Sequence, residues 1–178
     1  QHFIIHKPLG YLSQFVFNQS KRKNKKLLGE LYDFPDGIMA IGRLDKNSEG
    51  LLLLTTDGKV SEAIRSRKVE KEYYVELDGE ITDEAIGQLQ TGVAIKLQGK
   101  EYNTLPCQAK RLFPFPVFES AKPTKTRHRP SSWLSITLTE GKFRQVRKMT
   151  AQVGFPTLRL IRVRIGSVKL DKLPSGKV

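Results

Sequence analysis

Hydrophobic and polar positions divide the chain into short strands and a few short helices. Phe3-Ile4-Ile5 and Ile38-Met39-Ala40-Ile41 read as short strands around a basic loop. Glu49 to Thr56 is a compact apolar run that ends on Asp57-Gly58, a turn signal. Asp57 is placed to cap a helix from Lys59 to Arg65, with Val60, Ala63 and Ile64 expected on its inner face. In Glu70 to Leu77 the apolar Tyr73, Val75 and Leu77 alternate with charges, which predicts a strand. Thr82-Asp83-Glu84 reads as a helix start, with acids in the first turn and Gly92 as its C-terminal cap. Tyr102 to Phe113 and Trp133 to Thr139 are expected as strands, with 114 to 131, rich in proline, as a loop between them. Phe143, Val146, Met149 and Val153 recur at helical spacing, which predicts a helix from Lys142 to Val153 closed by Gly154. Leu158 to Ile165 is the last strong strand. Helices and strands mix without a βαβ rhythm, so the expected class is α+β with a mixed, largely antiparallel sheet.

Charge changes the picture next. Of 178 residues, 31 are Lys or Arg and 18 are Asp or Glu, giving a formal net charge of +13. The excess is concentrated. Lys21, Arg22, Lys23, Lys25 and Lys26 form one run; Lys122, Lys125, Arg127 and Arg129 form another; Lys142 to Lys169 holds eight basic residues and no acid. Residues 72 to 84 are acidic by contrast. One such run would be an ordinary solvated surface, but three at this net charge point to an extended polyanion, and so to nucleic acid. The runs lack an amphipathic apolar face, which argues against a lipid surface. Apolar runs such as Leu51 to Leu54 stop at four residues, far short of the roughly 20 needed for a membrane-spanning helix. The single Cys107 excludes an internal disulfide framework and fits a reducing, cytoplasmic setting.

The most informative segment is Gly42-Arg43-Leu44-Asp45-Lys46-Asn47-Ser48-Glu49-Gly50, followed by four leucines. Asp45, Asn47, Glu49 and Gly50 match the opening of a calcium loop, but Thr56 stands where the bidentate Glu is required, so calcium is excluded. A plain polar turn before a buried strand is the bland alternative. It leaves unexplained an acid flanked by arginine and a pair of glycines. Residues 42 to 58 closely resemble the GRLD-x-x-S-x-GLLLLT-x-DG signature of the bacterial ribosomal RNA pseudouridine synthases, in the branch related to small-subunit synthase A. Three further boxes follow that family's order. Lys7-Pro8-Leu9-Gly10-Tyr11 is similar to its KP-x-G box, and Lys71-Glu72-Tyr73-Tyr74-Val75 to its K-x-Y-x-V strand. Glu140 to Met149 is similar to its EG-x-x-RQ-[IV]-R-[RK]-M helix, and Leu160-Ile161-Arg162-Val163-Arg164-Ile165-Gly166 comes after it.

The resemblance implies the pseudouridine synthase fold, with two lobes of a sheet around a basic catalytic cleft, and a catalytic domain covering 1 to 178 with no S4 module. It makes Asp45 the catalytic aspartate. One carboxylate suffices, because isomerising uridine activates no water and uracil leaves as a delocalised anion; a glycosidase, which does activate water, needs two. Whether Asp45 first attacks C1′ or removes a C2′ proton is left open by the sequence. Because the base must leave the helix, a flat platform is needed, and Tyr73 is similar to the family's stacking tyrosine. Arg147 matches the basic partner of the aspartate, which would keep the carboxylate ionised and oriented. Leu160 resembles the apolar wall of the uracil pocket, although a leucine in a final strand is also ordinary core; Arg43 is assigned to the same pocket. Lys7, Lys21, Arg22, Lys23, Lys25, Lys26, Lys71, Arg144, Lys148 and Arg162 are expected to contact RNA. The histidines show no metal-like spacing, and Ser13, Ser48 and Cys107 show no activating partner, so neither metal nor organic cofactor is expected. Ribosomal RNA is the expected partner of a monomer. The rival is an RNA-binding or ribosome-assembly protein that kept the fold without the chemistry; an RNA methyltransferase is disfavoured by the absence of a glycine-rich cofactor loop.

Overall fold

A computed structural model describes residues 1–17, 25–66, 69–118 and 129–178. The described chain is α+β, as expected, and divides into two compact units: 1–69 with 161–178, and 70–160. Among the described residues no helix is long and apolar enough to cross a membrane.

The first unit contains β1 (His2–Lys7), β2 (Tyr11–Leu12), β3 (Lys26–Leu27), β4 (Met39–Ile41), β5 (Glu49–Thr55) and α1 (Gly58–Arg65). The second begins with β6 (Lys71–Asp78), α2 (Asp83–Thr91), β7 (Ala94–Leu97), β8 (Lys100–Asn103), β9 (Gln108–Arg111), β10 (Ser131–Leu138) and α3 (Gln145–Gln152). A single strand, β11 (Thr157–Ile165), runs from the second unit into the first, where β12 (Val168–Lys169) turns back on it.

In the first unit β5 is the central strand. β1 lies antiparallel along its length, from His2 opposite Thr55 to Lys7 opposite Gly50. β11 pairs parallel with its start, and β4 antiparallel with its end. All seven residues of β5 are buried, which explains why its sequence is a continuous apolar run rather than an alternating one. Ile5, Leu28, Leu52 and Leu54 form the core on one face, and Phe3, Phe15, Leu31 and Phe34 pack around them. The Asp57 carboxylate accepts from the Lys59 and Val60 amides and starts α1 as expected. The inner face of that helix differs in part from expectation: Val60 and Ile64 are half-buried as expected, but Ser61 is buried and Ala63 exposed, so the face is turned toward Ser61.

In the second unit β10 pairs antiparallel with β6 on one side and β9 on the other. Thr82 caps α2 through the Ala85 amide, and Gly92 ends it at φ +104. A Cβ at Gly92 would lie 2.3 Å from the Thr104 carbonyl, so no other residue fits that approach. The strand expected from Tyr102 to Phe113 is two strands. Pro106 cannot donate to a ladder, and the Leu105 amide is taken by the Glu140 carboxylate, so pairing with β7 ends at Asn103 and pairing with β10 begins at Gln108. The helix expected from Lys142 starts only at Gln145. Arg144, its N-terminal flank, has a left-handed backbone (φ +50), and Phe143 is 69% exposed rather than part of the core.

Candidate active site

The residues singled out from the sequence fall into two groups, one in each unit. Asp45 lies in the first, on the seven-residue connection 42–48 between β4 and β5. Gly42 admits the chain into this connection at φ +72. Leu44 is buried, Asp45 half-buried and Arg43 exposed. A turn follows at once, in which the Ser48 amide donates to the Asp45 carbonyl at 3.0 Å. The connection is also held from outside. Ser13 Oγ donates to the Leu44 carbonyl at 2.8 Å and accepts from the Leu44 amide at 2.9 Å, and the Gly10 amide donates to the Lys46 carbonyl at 2.8 Å.

Gly50 of the same box has a definite task. It lies opposite Arg162 across the β5–β11 pair, at φ +105, and a Cβ there would lie 2.3 Å from the Arg162 carbonyl. Only glycine lets the two backbones meet at this point.

Behind the connection lies a group of buried charges. Lys7 is fully buried, and its ammonium donates to the Pro8 carbonyl at 3.0 Å and the Tyr11 carbonyl at 2.7 Å. Burial pushes its pKa down to about 7, and Arg162 adds to that, while Glu49 and Asp45 oppose it. Glu49 is 2% exposed and Arg162 4%. Arg162 Nε donates to the Leu51 carbonyl at 2.8 Å, and its buried Nη2 has no hydrogen-bond partner among the described residues. Two expectations are corrected here. Lys7 and Arg162 do not present a surface charge to an RNA phosphate, because both side chains are buried, with the Lys7 ammonium and Arg162 Nε donating to backbone carbonyls. A lysine or arginine within a basic chain reads as a surface charge; only the position of β1 and β11 against β5 shows that these two are internal.

The second unit carries Tyr73, Arg147 and Leu160. Tyr73 is buried on β6, opposite Ile136. Leu160 is buried in the second unit's part of β11, as a core leucine would be. Arg147 is on the first turn of α3 and 8% exposed. A residue the sequence reading left without a role governs how α3 begins. Glu140 is 4% exposed, and its carboxylate accepts from the Tyr102 hydroxyl, from the Leu105 amide at 2.8 Å and from Gln145 Nε2 at 3.0 Å. Gln145 Oε1 in turn accepts from the Lys142 amide at 3.1 Å. The pair therefore binds the turn before α3 to its first residue, two positions from Arg147. Both Glu140 and Gln145 belong to the EG-x-x-RQ box, which was the available signal. Glu140 and burial also raise the pKa of Cys107 to about 11, with burial the larger cause, so that thiol is unsuited to nucleophilic work.

Of the remaining expected RNA contacts, Lys26 is exposed, and its ammonium lies 5.5 Å from the Tyr11 ring centroid. Lys25 stands 3.9 Å from that of Phe17. Lys71 Nζ donates to the Thr139 carbonyl at 3.3 Å, and Lys148 Nζ to the Lys96 carbonyl at 2.8 Å. Arg144 is half-buried at the head of α3. Lys21, Arg22 and Lys23 lie outside the described residues, as do Lys122, Lys125 and Arg127 of the second basic run. Among the described residues no group of three His, Cys, Asp or Glu side chains is arranged to hold a metal.

Comparison with known proteins extends the resemblance beyond the four boxes. Residues 1–152 match the family model described as RNA pseudouridylate synthase. The ribosomal large subunit pseudouridine synthase E of Xanthomonas axonopodis pv. citri is 40% identical over 174 residues, which is 96% of this chain and 88% of that protein. The synthase E of Vibrio parahaemolyticus is 37% identical over 177 residues, 98% of this chain and 71% of its own length. Among solved structures, a crystal structure of a pseudouridylate synthase superposes with a TM-score of 0.77 at 27% identity, over 99% of this chain and 68% of that one.

Proposed function

The chain belongs to the RNA pseudouridylate synthase family, and from that premise we propose that it converts a uridine of large-subunit ribosomal RNA to pseudouridine, with Asp45 as the catalytic carboxylate. The observation that carries the reading is the connection 42–48: a half-buried aspartate whose two neighbours in the chain are both hydrogen-bonded to residues 10–13. A loop held this firmly around one acid is what a reaction with a single carboxylate requires.

The reaction exchanges one bond to C1′ for another. The N1–C1′ bond of uridine breaks, and the electron pair leaves with the uracil ring, which holds it as a delocalised anion. The ring turns so that C5 faces C1′, the C5–C1′ bond forms, and C5 gives up its proton while N1 takes one up, so the product is an isomer of uridine. Asp45 acts at the sugar, either by attack on C1′, with the ester bond broken as C5 takes its place, or by removal of the C2′ proton, which is returned as the C5–C1′ bond forms. Tyr73 is proposed as the platform against which the detached ring turns, and as a group that helps take the C5 proton. Arg147 is proposed as the basic partner of the aspartate, compensating its charge where water is displaced. Leu160 and Arg43 are proposed to contact the base and its flanking nucleotide. The backbone of the RNA would be followed by Lys25, Lys26, Lys71, Arg144 and Lys148, with Lys21, Arg22 and Lys23 from the neighbouring basic run. The protein is proposed to act as a monomer, and in the cytoplasm, with its ribosomal substrate.

The test is nucleoside analysis. Large-subunit rRNA transcribed without modifications, incubated with the protein and digested to nucleosides, should yield about one pseudouridine per molecule, the outcome of a single flipped base. Small-subunit rRNA should yield none. Conversion of the small-subunit RNA instead would overturn the substrate assignment, and conversion of neither, on naked RNA and on precursor particles, would favour the binding-only alternative.

A further inference from the structure

Ser13 has no role in the chemistry above, and its surroundings give it one. It is 7% exposed, on the strand-like segment that follows the KP-x-G turn, and its hydroxyl is engaged twice with the same residue, Leu44. It gives its proton to the Leu44 carbonyl at 2.8 Å and takes the Leu44 amide proton at 2.9 Å. A hydroxyl is the smallest side chain that can both donate and accept at one point, and here both capacities go to the residue immediately before Asp45. Three residues earlier on the same segment, the Gly10 amide holds the Lys46 carbonyl, immediately after Asp45, at 2.8 Å. The segment is itself tied down, since the Lys7 ammonium binds the carbonyls of Pro8 and Tyr11 on either side of Gly10.

We propose that Ser13 is a positioning residue for Asp45, the closing member of a clamp formed by residues 7–13 that grips the backbone on both sides of the acid. The proposal rests on the reading of Asp45 as the catalytic carboxylate. Its physical content is that a loop residue is ordinarily free to sample several backbone conformations, and each one moves the carboxylate. Bonds to Leu44 and Lys46 remove that freedom from both ends at once. Leu44 and Ser13 are both buried, so water cannot replace the two Ser13 bonds when they are lost. The Ser13 and Gly10 bonds of the clamp reach the loop through backbone atoms of Leu44 and Lys46. Losing the clamp should therefore slow the chemical step while RNA binding, proposed to rest on basic side chains outside it, persists.

The experiment compares wild type, Ser13→Ala, Ser13→Thr and Asp45→Asn on the same unmodified large-subunit rRNA, measuring the single-turnover rate and the RNA dissociation constant separately. Ser13→Ala is expected to lower the single-turnover rate by about 10- to 100-fold, the scale of an ångström-sized misplacement, with RNA affinity within about twofold of wild type. Ser13→Thr, which restores the hydroxyl, should recover the rate to within about threefold. Should Ser13→Ala fail to fold, Ser13→Cys takes its place, matching serine in shape while its thiol is a weak partner on both sides; the same slow rate is expected. A Ser13→Ala or Ser13→Cys enzyme as fast as wild type, or one that loses RNA affinity at an unchanged rate, would overturn the clamp. Asp45→Asn separates the two levels: activity in that variant removes the underlying reading, whereas an inactive Asp45→Asn beside a fully active Ser13→Ala removes the clamp alone.

Discussion

Both units bury charged side chains, and two of these, the cation Lys7 in the first and the anion Glu140 in the second, are stabilised differently. Lys7 is wholly enclosed; two neutral carbonyls accept from its ammonium, and the charges around it are of both signs. Desolvation prevails, and the pKa falls to about 7. Glu140 is almost as enclosed, but three donors converge on its carboxylate: a phenol, a main-chain amide and a side-chain amide. An anion with its lone pairs filled by donors from residues 102–105 and from the start of α3 ties those two stretches together. The cation instead organises a short local turn, 8–11, and carries an electrostatic burden in doing so. The difference teaches that the motif boxes contain, beside the residues proposed to meet substrate, others whose bonds hold the surrounding chain in place.

The comparison can be broken most forcefully at Glu140. Glu140→Ala leaves the Leu105 amide, the Gln145 side-chain amide and the Tyr102 hydroxyl without this acceptor. The Gln145 amide is buried and costs about 1–3 kcal/mol as an orphan, whereas the other two are only partly buried and can turn to water, so the net loss in urea unfolding should be about 2 kcal/mol. A loss below about 1 kcal/mol would show that the carboxylate is not the joint described here.

Lys7 sharpens the contrast through pH. Its native pKa of about 7 lies below the ordinary lysine value of 10.5, so between these values the unfolded chain binds the proton that the native protein has released. Stability contributed by this group therefore rises with pH across that window, and below about pH 7 the full burial penalty is present. The difference in unfolding free energy between wild type and Lys7→Met should grow in favour of wild type above pH 7, by at most about 1.4 kcal/mol per pH unit. A difference independent of pH from 6 to 10 would mean that Lys7 is not titrating there.

The legible parts of the fold were those fixed by local chemistry. Asp57 and Thr82 are side-chain caps, and Gly92 is an end that only glycine tolerates; each could be read from a few neighbouring residues. What escaped depends on partners distant in sequence. Lys7 and Arg162 read as surface charges, because nothing near them announces that β1 and β11 flank the buried β5. The start of α3 was misplaced because Phe143 fits the helical spacing, while the left-handed Arg144 and the Glu140–Gln145 bond that end the preceding turn are invisible to periodicity. The break between β8 and β9 depends likewise on Glu140 taking the Leu105 amide. As for the candidate site, the residues assigned to chemistry come from the motif boxes; Glu140 stands in one of them, but its task, like that of Ser13 outside them, is visible only in its hydrogen bonds.

The measurement that tests the central claim most directly is release of tritium from uridine C5 in unmodified large-subunit rRNA, run with wild type and Asp45→Asn at equal, saturating RNA occupancy. Asparagine keeps the shape of the side chain and removes its charge, so binding should persist. The account predicts release of about one equivalent per RNA by wild type, and none above background by a variant that still binds the RNA. Release by Asp45→Asn at more than a few per cent of the wild-type rate would contradict it.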